Sequence, residues 1–338
     1  MKLLKIASLS IVALALSATV SSADTLETTK KNGEVSCGLN TGLAGFAAPD
    51  TKGVWKGIDV DFCRAVASAV FGDASKVKYA HLNAKERLTA LQSGEIDVLA
   101  RNTTWTATRD TSLGLNFTGV NYYDGQGFLV SKNLGVKSAK ELDGATFCIQ
   151  AGTTTELNLT DYFKANNMEY KPVTYDTSAQ TIEGFSAGRC DAVTSDASQL
   201  YALRTQLKDS SSAIVLPEII SKEPLGPVVR QGDDTWFNIV KWTHIAMLNA
   251  EELGIDSKNV DAMLKSDNPN IKRLLGVTGD IGKNLGLDAK WAYNIIKNVG
   301  NYGEVFDRNI GKDSPLKINR GLNALWKDGG LQYGAPIR

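Results

Sequence analysis

The polar stretch from Asn102 to Asp110 combines several hydroxyl side chains with one arginine, and it follows a strand-like apolar run at 96–100. The guanidinium of Arg109 is a planar fork that matches both oxygens of a carboxylate, and hydroxyls such as that of Thr104 add donors and acceptors. The stretch therefore predicts a carboxylate site. The alternative left open is a solvated loop in which Arg109 pairs with Asp110.

Two further polar positions follow other strand-like runs. Thr153 and Thr154 come after Gly152 at the start of a predicted helix, where free backbone N–H groups and hydroxyls can bind an anion. Threonines that only cap the helix would give the same pattern. Asp196 offers a carboxylate to a cation, although it could equally be the N-cap of the helix that follows it.

An internal repeat relates these positions. Segment 93–98 resembles segment 187–192, with a glycine and an aspartate at equivalent places and an offset of 94 residues (188 − 94 and 191 − 97). The same offset relates Asn102 to Asp196. A short repeat can arise by chance, but two similar domains facing each other would bring these polar groups together across a cleft.

The elements that position these residues alternate between strand and helix patterns from residue 35 onward. This alternation predicts an α/β fold with mainly parallel sheets and helices on both faces. Ligands of such sheets lie beyond the carboxyl ends of the strands. Beyond the first strand, that place is a glycine-rich loop that contains Asn40 and Phe46.

Two extended segments separate the two series of strands and helices, at 128–131 and 225–230. They predict a two-stranded hinge, with one domain inserted into the other. The pattern of the remaining chain predicts mostly helix and contains no candidate site residue. The predicted helices include those at 256–265, 288–299 and 318–326. The expected division is a signal peptide at 1–23, domain 1 at 24–130 plus 228–338 with its helical C-terminal extension, and domain 2 at 131–227.

The N-terminus predicts export. Lys2 and Lys5 precede an apolar run at 6–16, and Ser21 and Ala23 fit cleavage by signal peptidase after Ala23. The run is too short to span a bilayer, and no later stretch reaches about 18 apolar residues, so we expect no membrane insertion. The chain has 37 basic and 37 acidic residues, and loss of the two lysines leaves 35 against 37, which does not favour nucleic acid as a partner.

Four cysteines in an exported protein favour disulfides over free thiols. Three pairings are possible, and we favour Cys37 with Cys63 and Cys148 with Cys190. The alternative is a zinc site, but the chain has two histidines and no Cys-x-x-Cys motif, so we expect no metal. Motifs for nucleophilic serine, nucleotide phosphate, zinc peptidase and dinucleotide binding are also absent from the sequence, so we expect neither a cofactor nor catalysis.

Over almost its whole mature length, the chain resembles the polar and general amino-acid-binding periplasmic proteins of ABC transporters, which have the type II solute-binding fold. The segments that carry the resemblance are Gly-Ile-Asp-Val-Asp (57–61), Leu-Gln-Ser-Gly-Glu-Ile-Asp (91–97), Thr-Ala-Thr-Arg (106–109), Gln-Ala-Gly-Thr-Thr (150–154) and Gly-Arg-Cys-Asp (188–191). The resemblance implies two domains and a ligand in the cleft between them. The C-terminal part is similar to the general L-amino-acid-binding branch, which implies broad specificity.

The resemblance also implies residue roles. It implies that the ligand carboxylate is bound by Arg109, Thr153 and Thr154. It implies that the ligand ammonium is bound by Asp196, Thr104 and Asn102. Phe46 would lie near the ligand, and Asn40 stands where histidine- and lysine-binding relatives have a carboxylate, which suits a less selective pocket. Trp105 belongs either to the pocket wall or to the core.

The implied function is capture of L-amino acids in the periplasm and delivery to the permease subunits of an ABC importer, whose ATPase lies on the cytoplasmic side. We expect a monomer. One alternative is an exported enzyme that resembles cyclohexadienyl dehydratase and acts on a prephenate- or arogenate-like acid, with Asp196 or Glu183 as proton donor or base. A second is a sensor domain of the same fold, but sensors are tethered to a membrane segment that we do not expect here.

Overall fold

The computed structural model describes residues 24–338, so the predicted signal peptide and its cleavage after Ala23 lie outside the described residues. The described chain forms two α/β lobes. None of its helices combines the length and the apolar character that a bilayer crossing requires.

The first lobe is built on a five-stranded sheet. Its strands are β1 (Val35–Leu39), β4 (Val77–His81), β5 (Val98–Leu99), β6 (Leu115–Phe117) and β14 (Val228–Arg230). The order is β4-β1-β5-β14-β6, and a short ladder of β2 (Ala48–Pro49) with β3 (Trp55–Lys56) lies outside this sheet. Strands β1, β4 and β5 are parallel, as the alternating pattern predicts, whereas β14 runs antiparallel because it returns from the other lobe.

The second lobe repeats this plan. Its strands are β8 (Gln126–Ser131), β9 (Thr146–Gln150), β10 (Lys171–Tyr175), β11 (Ala192–Asp196) and β12 (Ala213–Val215), in the order β10-β9-β11-β8-β12. Strand β9 is parallel to β10 and β11, and β8 is antiparallel to β11 and β12. The carboxyl ends of β9 and β11 therefore lie at one edge of this sheet. Thr154 follows β9 at this edge, and Asp196 is the last residue of β11.

The lobes are joined by a two-stranded ladder of β7 (Tyr122–Asp124) with β13 (Glu223–Leu225). This ladder corrects the predicted position of the hinge. The expected outgoing segment at 128–131 belongs to β8 inside the second sheet, and the expected division after residue 130 falls within that strand. A hinge segment and a buried strand have similar hydrophobic patterns in the sequence. Only the pairing with strands that are distant in sequence distinguishes the two.

Helices cover both sheets. The first lobe carries α1 (Thr25–Asn32), α2 (Ile58–Phe71), α3 (Arg87–Ser93), α4 (Ala107–Ser112), α8 (Asp234–Glu252), α9 (Val260–Met263), α10 (Pro269–Leu274), α11 (Ile281–Asn284), α12 (Trp291–Asn298) and α13 (Tyr302–Asn309). The second lobe carries α5 (Thr154–Ala165), α6 (Ser178–Ser186) and α7 (Ala197–Arg204). The buried side chains of α2, α8, α12 and α13 share one large apolar core with β1.

The predicted helix at 318–326 is wrong. That segment contains a 3₁₀ turn at Gly321–Asn323, and a second turn at Trp326–Asp328 follows. The Asn323 amide bonds both backbone groups of Tyr123 next to the hinge ladder, with distances of 2.6 Å from Tyr123 N to Oδ1 and 3.0 Å from Nδ2 to the carbonyl. These tertiary bonds fix an irregular backbone that local helix propensity does not reveal.

The internal repeat has a structural counterpart. Asp97 Oδ2 accepts a bond from Ser36 N at 2.9 Å, and Asp191 Oδ2 accepts one from Thr146 N at 2.7 Å. In each lobe, an aspartate before one strand thus holds the start of the neighbouring parallel strand. The offset of 94 residues (191 − 97) therefore reflects equivalent positions in two similar lobes.

Both predicted disulfides are confirmed. Cys37 on β1 is bonded to Cys63 on α2, and Cys148 on β9 is bonded to Cys190 just before β11. Because these four cysteines are all bonded in pairs, none of them is a zinc ligand. Each bond ties elements of a single lobe, so neither disulfide cross-links the two lobes.

We expect Gly57→Ala to lower the free energy of unfolding by about 3 kcal/mol or more. Gly57 has a φ of +139°, and an added Cβ would lie 1.9 Å from the carbonyl oxygen of Phe46. Denaturant titration measures the loss. The matched control is Gly33→Ala, where φ is +76° but no atom of the described residues lies within 4 Å of the added Cβ, so a loss of about 1 kcal/mol is expected. Equal losses would show that the clash has no effect.

Candidate functional site

Arg109 lies inside α4, which begins after Thr106, and its side chain is buried. Its Nη1 donates to the carbonyl oxygen of Thr104 at 2.8 Å. Asp110 instead accepts from Phe117 N at 3.4 Å, so the solvated loop with an Arg109–Asp110 pair is not what the chain adopts. Burial lowers the pKa of Arg109, while the nearby carboxylates Glu223 and Asp196 act in the opposite direction. No carboxylate of residues 24–338 is bonded directly to Arg109, which suits a guanidinium that receives its anion from a ligand.

Asn102 forms a left-handed turn after β5, with a φ of +34°. Its backbone N donates to Asp59 Oδ2 at 3.0 Å, and its side-chain oxygen accepts from Asn40 Nδ2 at 3.0 Å. Its Nδ2 reaches Gln199 Oε1 of the second lobe at 3.4 Å. Burial raises the pKa of Asp59 to about 7. Asn40 and Asn102 are therefore held together at a point where the two lobes meet.

At the start of α5, the plain-cap alternative does not hold. Thr153 occupies the N-cap position, but its hydroxyl donates to the carbonyl oxygen of Gln150 at 2.7 Å and makes no capping bond. Thr154 Oγ1 lies 3.3 Å from Thr104 Oγ1 of the first lobe. The two hydroxyls thus meet across the cleft.

Asp196 ends β11 and occupies the N-cap position of α7, but its side chain makes no capping bond. Its carboxyl is buried, and its pKa is raised well above its usual range by burial and by the neighbouring carboxylates Asp124 and Glu223. Arg87 and Arg109 act in the opposite direction. An uncapped, buried carboxyl is costly, and a cationic ligand would offset that cost.

Sequence reasoning missed the acidic groups on the hinge ladder. Burial raises the pKa of Asp124 to about 7, although this side chain accepts bonds from the amide and hydroxyl of Ser198. Glu223 is only 1% exposed, and its carboxylate accepts bonds from side chains of both lobes. The sequence around Asp124 and Glu223 does not indicate that either side chain is buried. The one available signal for a functional role was the position of a charged residue beside an expected hinge segment.

Two buried arginines were missed as well. Arg87 Nη1 donates to the carbonyl oxygen of Arg101 and to Thr103 Oγ1, both at 3.2 Å, and Arg101 Nε donates to the carbonyl oxygen of Leu82 at 2.8 Å. Burial lowers the pKa of both guanidinium groups, and Asp196 acts in the opposite direction on each. They add positive charge to the first-lobe side of the cleft.

The two predicted aromatic residues, Phe46 and Trp105, differ in their burial. Phe46 is buried in the large core and packs edge-on against Tyr122, with ring centroids 5.4 Å apart. Trp105 is 38% exposed and stacks on Phe117 with centroids 5.5 Å apart, so it is not part of the core interior. Glu183, the alternative proton donor or base, is exposed on α6.

Buried groups of both charges therefore meet between the lobes. The first lobe supplies buried guanidinium groups and the buried carboxyl of Asp59, and the second lobe and the hinge ladder supply further buried carboxyl groups. The lobes also touch at the rim, where Lys85 Nζ lies 2.9 Å from Asp176 Oδ1. A zwitterion, with one anionic and one cationic group, matches such a charge distribution.

The chain is similar to known proteins over most of its length. The model of the family described as bacterial extracellular solute-binding proteins, family 3, matches residues 35–332. The chain is 64% identical over 327 residues to the general L-amino acid-binding periplasmic protein AapJ of Rhizobium johnstonii, with 96% of each chain covered. It is 55% identical over 330 residues to the glutamate/glutamine/aspartate/asparagine-binding protein BztA of Rhodobacter capsulatus, which covers 97% of this chain and 98% of that protein.

The fold is similar to a solved periplasmic binding protein of an ABC transporter from Brucella ovis with glutathione bound. The TM-score is 0.92 at 61% identity, and the match covers 94% of this chain and 100% of the other. The family model and these relatives each span nearly all of the described residues. The chain belongs to family 3 of the bacterial extracellular solute-binding proteins.

Proposed function

We propose that this protein captures L-amino acids of several kinds in the cleft between its lobes and delivers them to the permease of an ABC importer. The observation that carries the proposal is that Arg109 of the first lobe and Asp196 of the second lobe are both buried and lie within electrostatic range of each other. An α-amino acid presents a carboxylate and an ammonium on one carbon, so it can contact both groups at once.

In this proposal, Arg109 holds the ligand carboxylate together with the backbone N–H groups of Thr153 and Thr154 at the start of α5. Asp196 holds the ammonium, with Thr104 and Asn102 as further acceptors. Asn40 and Trp105 border the space for the ligand side chain, and Phe46 supports it from the core. Neutral or exposed groups in these places discriminate weakly among side chains, which agrees with broad specificity.

The similar proteins support this choice of ligand. AapJ is described as a general L-amino acid-binding protein, and BztA as binding glutamate, glutamine, aspartate and asparagine. Glutathione, bound in the Brucella ovis structure, carries a free α-carboxylate and α-ammonium on its glutamyl end. The shared chemistry of these ligands is the amino-acid head group.

The proposal includes export to the periplasm, with cleavage after Ala23, and action as a monomer without a cofactor or catalysis. Because the β7–β13 ladder is the connection between the sheets, ligand contacts from both lobes would favour the closed arrangement. The closed arrangement is the form that a permease would recognise.

Calorimetry with the mature protein, unfolded and refolded to remove carried-over ligand, tests the proposal. Several L-amino acids should bind with a Kd in the micromolar range or below, and each should be recovered chemically unchanged. Failure of every common L-amino acid to bind would overturn the proposal, as would conversion of an arogenate-like acid.

A further inference from the structure

The carboxylate of Glu223 lies at the point where the two lobes meet. Its Oε2 accepts from Thr104 Oγ1 at 2.5 Å and from Thr154 Oγ1 at 3.1 Å. Its Oε1 accepts from Asn158 Nδ2 at 2.6 Å and from Ser221 Oγ at 2.8 Å. Thr104 belongs to the first lobe, Thr154 and Asn158 belong to α5 of the second lobe, and Glu223 itself is on the hinge ladder. The four bonds therefore connect both lobes to the hinge.

These bonds decide where the threonine protons lie. A threonine hydroxyl has one proton to donate and lone pairs for two acceptor interactions. Both hydroxyls donate to Glu223 Oε2, so their protons point to this carboxylate rather than along the 3.3 Å contact between Thr104 and Thr154. Neither hydroxyl then has a proton left for a ligand carboxylate. What each can still offer is a lone pair.

The neighbouring charges favour a cation at this point. Burial is the main cause of the raised pKa of Asp124 and of Asp196, and the nearby Glu223 carboxylate raises both further. Arg109 lies within electrostatic range of Glu223 but is hydrogen-bonded to the Thr104 carbonyl oxygen. An ammonium has three N–H donors and no acceptor, so it matches a group of lone pairs beside negative charge.

We propose that Glu223 is a positioning residue of the ammonium subsite, which accepts the protons of Thr104 and Thr154 and turns their lone pairs toward the ammonium of the ligand. This inference rests on the proposed capture of amino acids, and it moves the Thr154 hydroxyl from the carboxylate subsite to the ammonium subsite. It also explains a buried carboxylate on the hinge: the ammonium subsite is complete only when the lobes are together.

The test compares L-alanine with L-lactate, which keeps the carboxylate and methyl group but has a hydroxyl in place of the ammonium. We expect Glu223→Gln to weaken L-alanine binding by about 10- to 100-fold, because the charge is lost and the amide can donate to a hydroxyl and reverse its orientation. L-lactate binding, measured by competition at millimolar concentration, should change by less than about threefold. Glu169→Gln, at an exposed position of the same lobe, is the matched control.

Thr154→Val gives an independent measurement that leaves Glu223 in place. The isosteric change removes the hydroxyl but keeps the backbone N–H at the start of α5. Binding of L-alanine should therefore weaken again, while binding of L-lactate should not. If either variant weakened the binding of L-alanine and L-lactate equally, the substituted residue would have a structural role or a role in carboxylate binding, and the inference would be overturned. Unchanged L-alanine binding would also overturn it. Wild-type protein that binds no L-amino acid would instead overturn the proposed function.

Discussion

Arg109→Ala is expected to abolish binding of every L-amino acid, with a loss of at least about 3 kcal/mol, or more than about 100-fold in Kd. The guanidinium is buried, and no carboxylate in the part of the chain that the structure describes is bonded to it directly, so its charge is available to the α-carboxylate that all these ligands share. Calorimetry with a panel of acidic, amide and small apolar L-amino acids measures the effect. A loss confined to one ligand would mean that Arg109 recognises a side chain instead.

Two controls separate binding from folding in that experiment. Arg189→Ala removes an exposed arginine of the second lobe and should leave affinity and melting temperature unchanged. Arg109→Lys keeps the positive charge but not the planar fork, so it should recover only part of the affinity. Because Arg109 also bonds the Thr104 carbonyl oxygen, the melting temperature of Arg109→Ala must be measured beside its affinity.

Asp196→Asn should weaken L-amino acid binding by about 100-fold while the protein stays folded. The side chain makes no capping bond to α7, so the amide costs little in the fold, but the ammonium loses its charged partner. Asp161→Asn, at an exposed position of α5, is the matched control. If Asp196→Asn bound L-alanine like the wild type, the ammonium would have to contact another carboxylate.

The pH dependence of affinity is a second readout of the same variant. In the free protein, the pKa of Asp196 is raised well above its usual range and that of Asp124 is about 7, so protons compete with an ammonium for these carboxylates. A bound ammonium stabilises the ionised forms and lowers both pKa values, so binding releases protons. L-alanine affinity should therefore rise between about pH 5.5 and about pH 7.5, with a shallower rise in Asp196→Asn. A slope of the opposite sign would contradict this assignment.

Much of the fold could be predicted because it depends on local pattern. The strand at 146–150 has the bounds that the sequence predicts, and the two disulfides join the cysteines that we paired. Alternation of strand and helix gives the parallel part of each sheet. The hinge and the helix at 318–326 were misplaced because strand pairing and the side-chain bonds of Asn323 involve partners distant along the chain.

By itself, the sequence determined which chemistry the strand ends carry: an arginine with hydroxyls, a threonine pair at a helix start, and an aspartate related to Asn102 by the repeat. These are properties of residue type and spacing, and local propensity is enough to place them. Only the tertiary structure decided that Glu223 joins them, since its bond to Thr104 spans 119 residues of sequence. Burial and the direction of a shared proton depend on the groups that surround a side chain, and the folded chain supplies those groups from both lobes and the hinge.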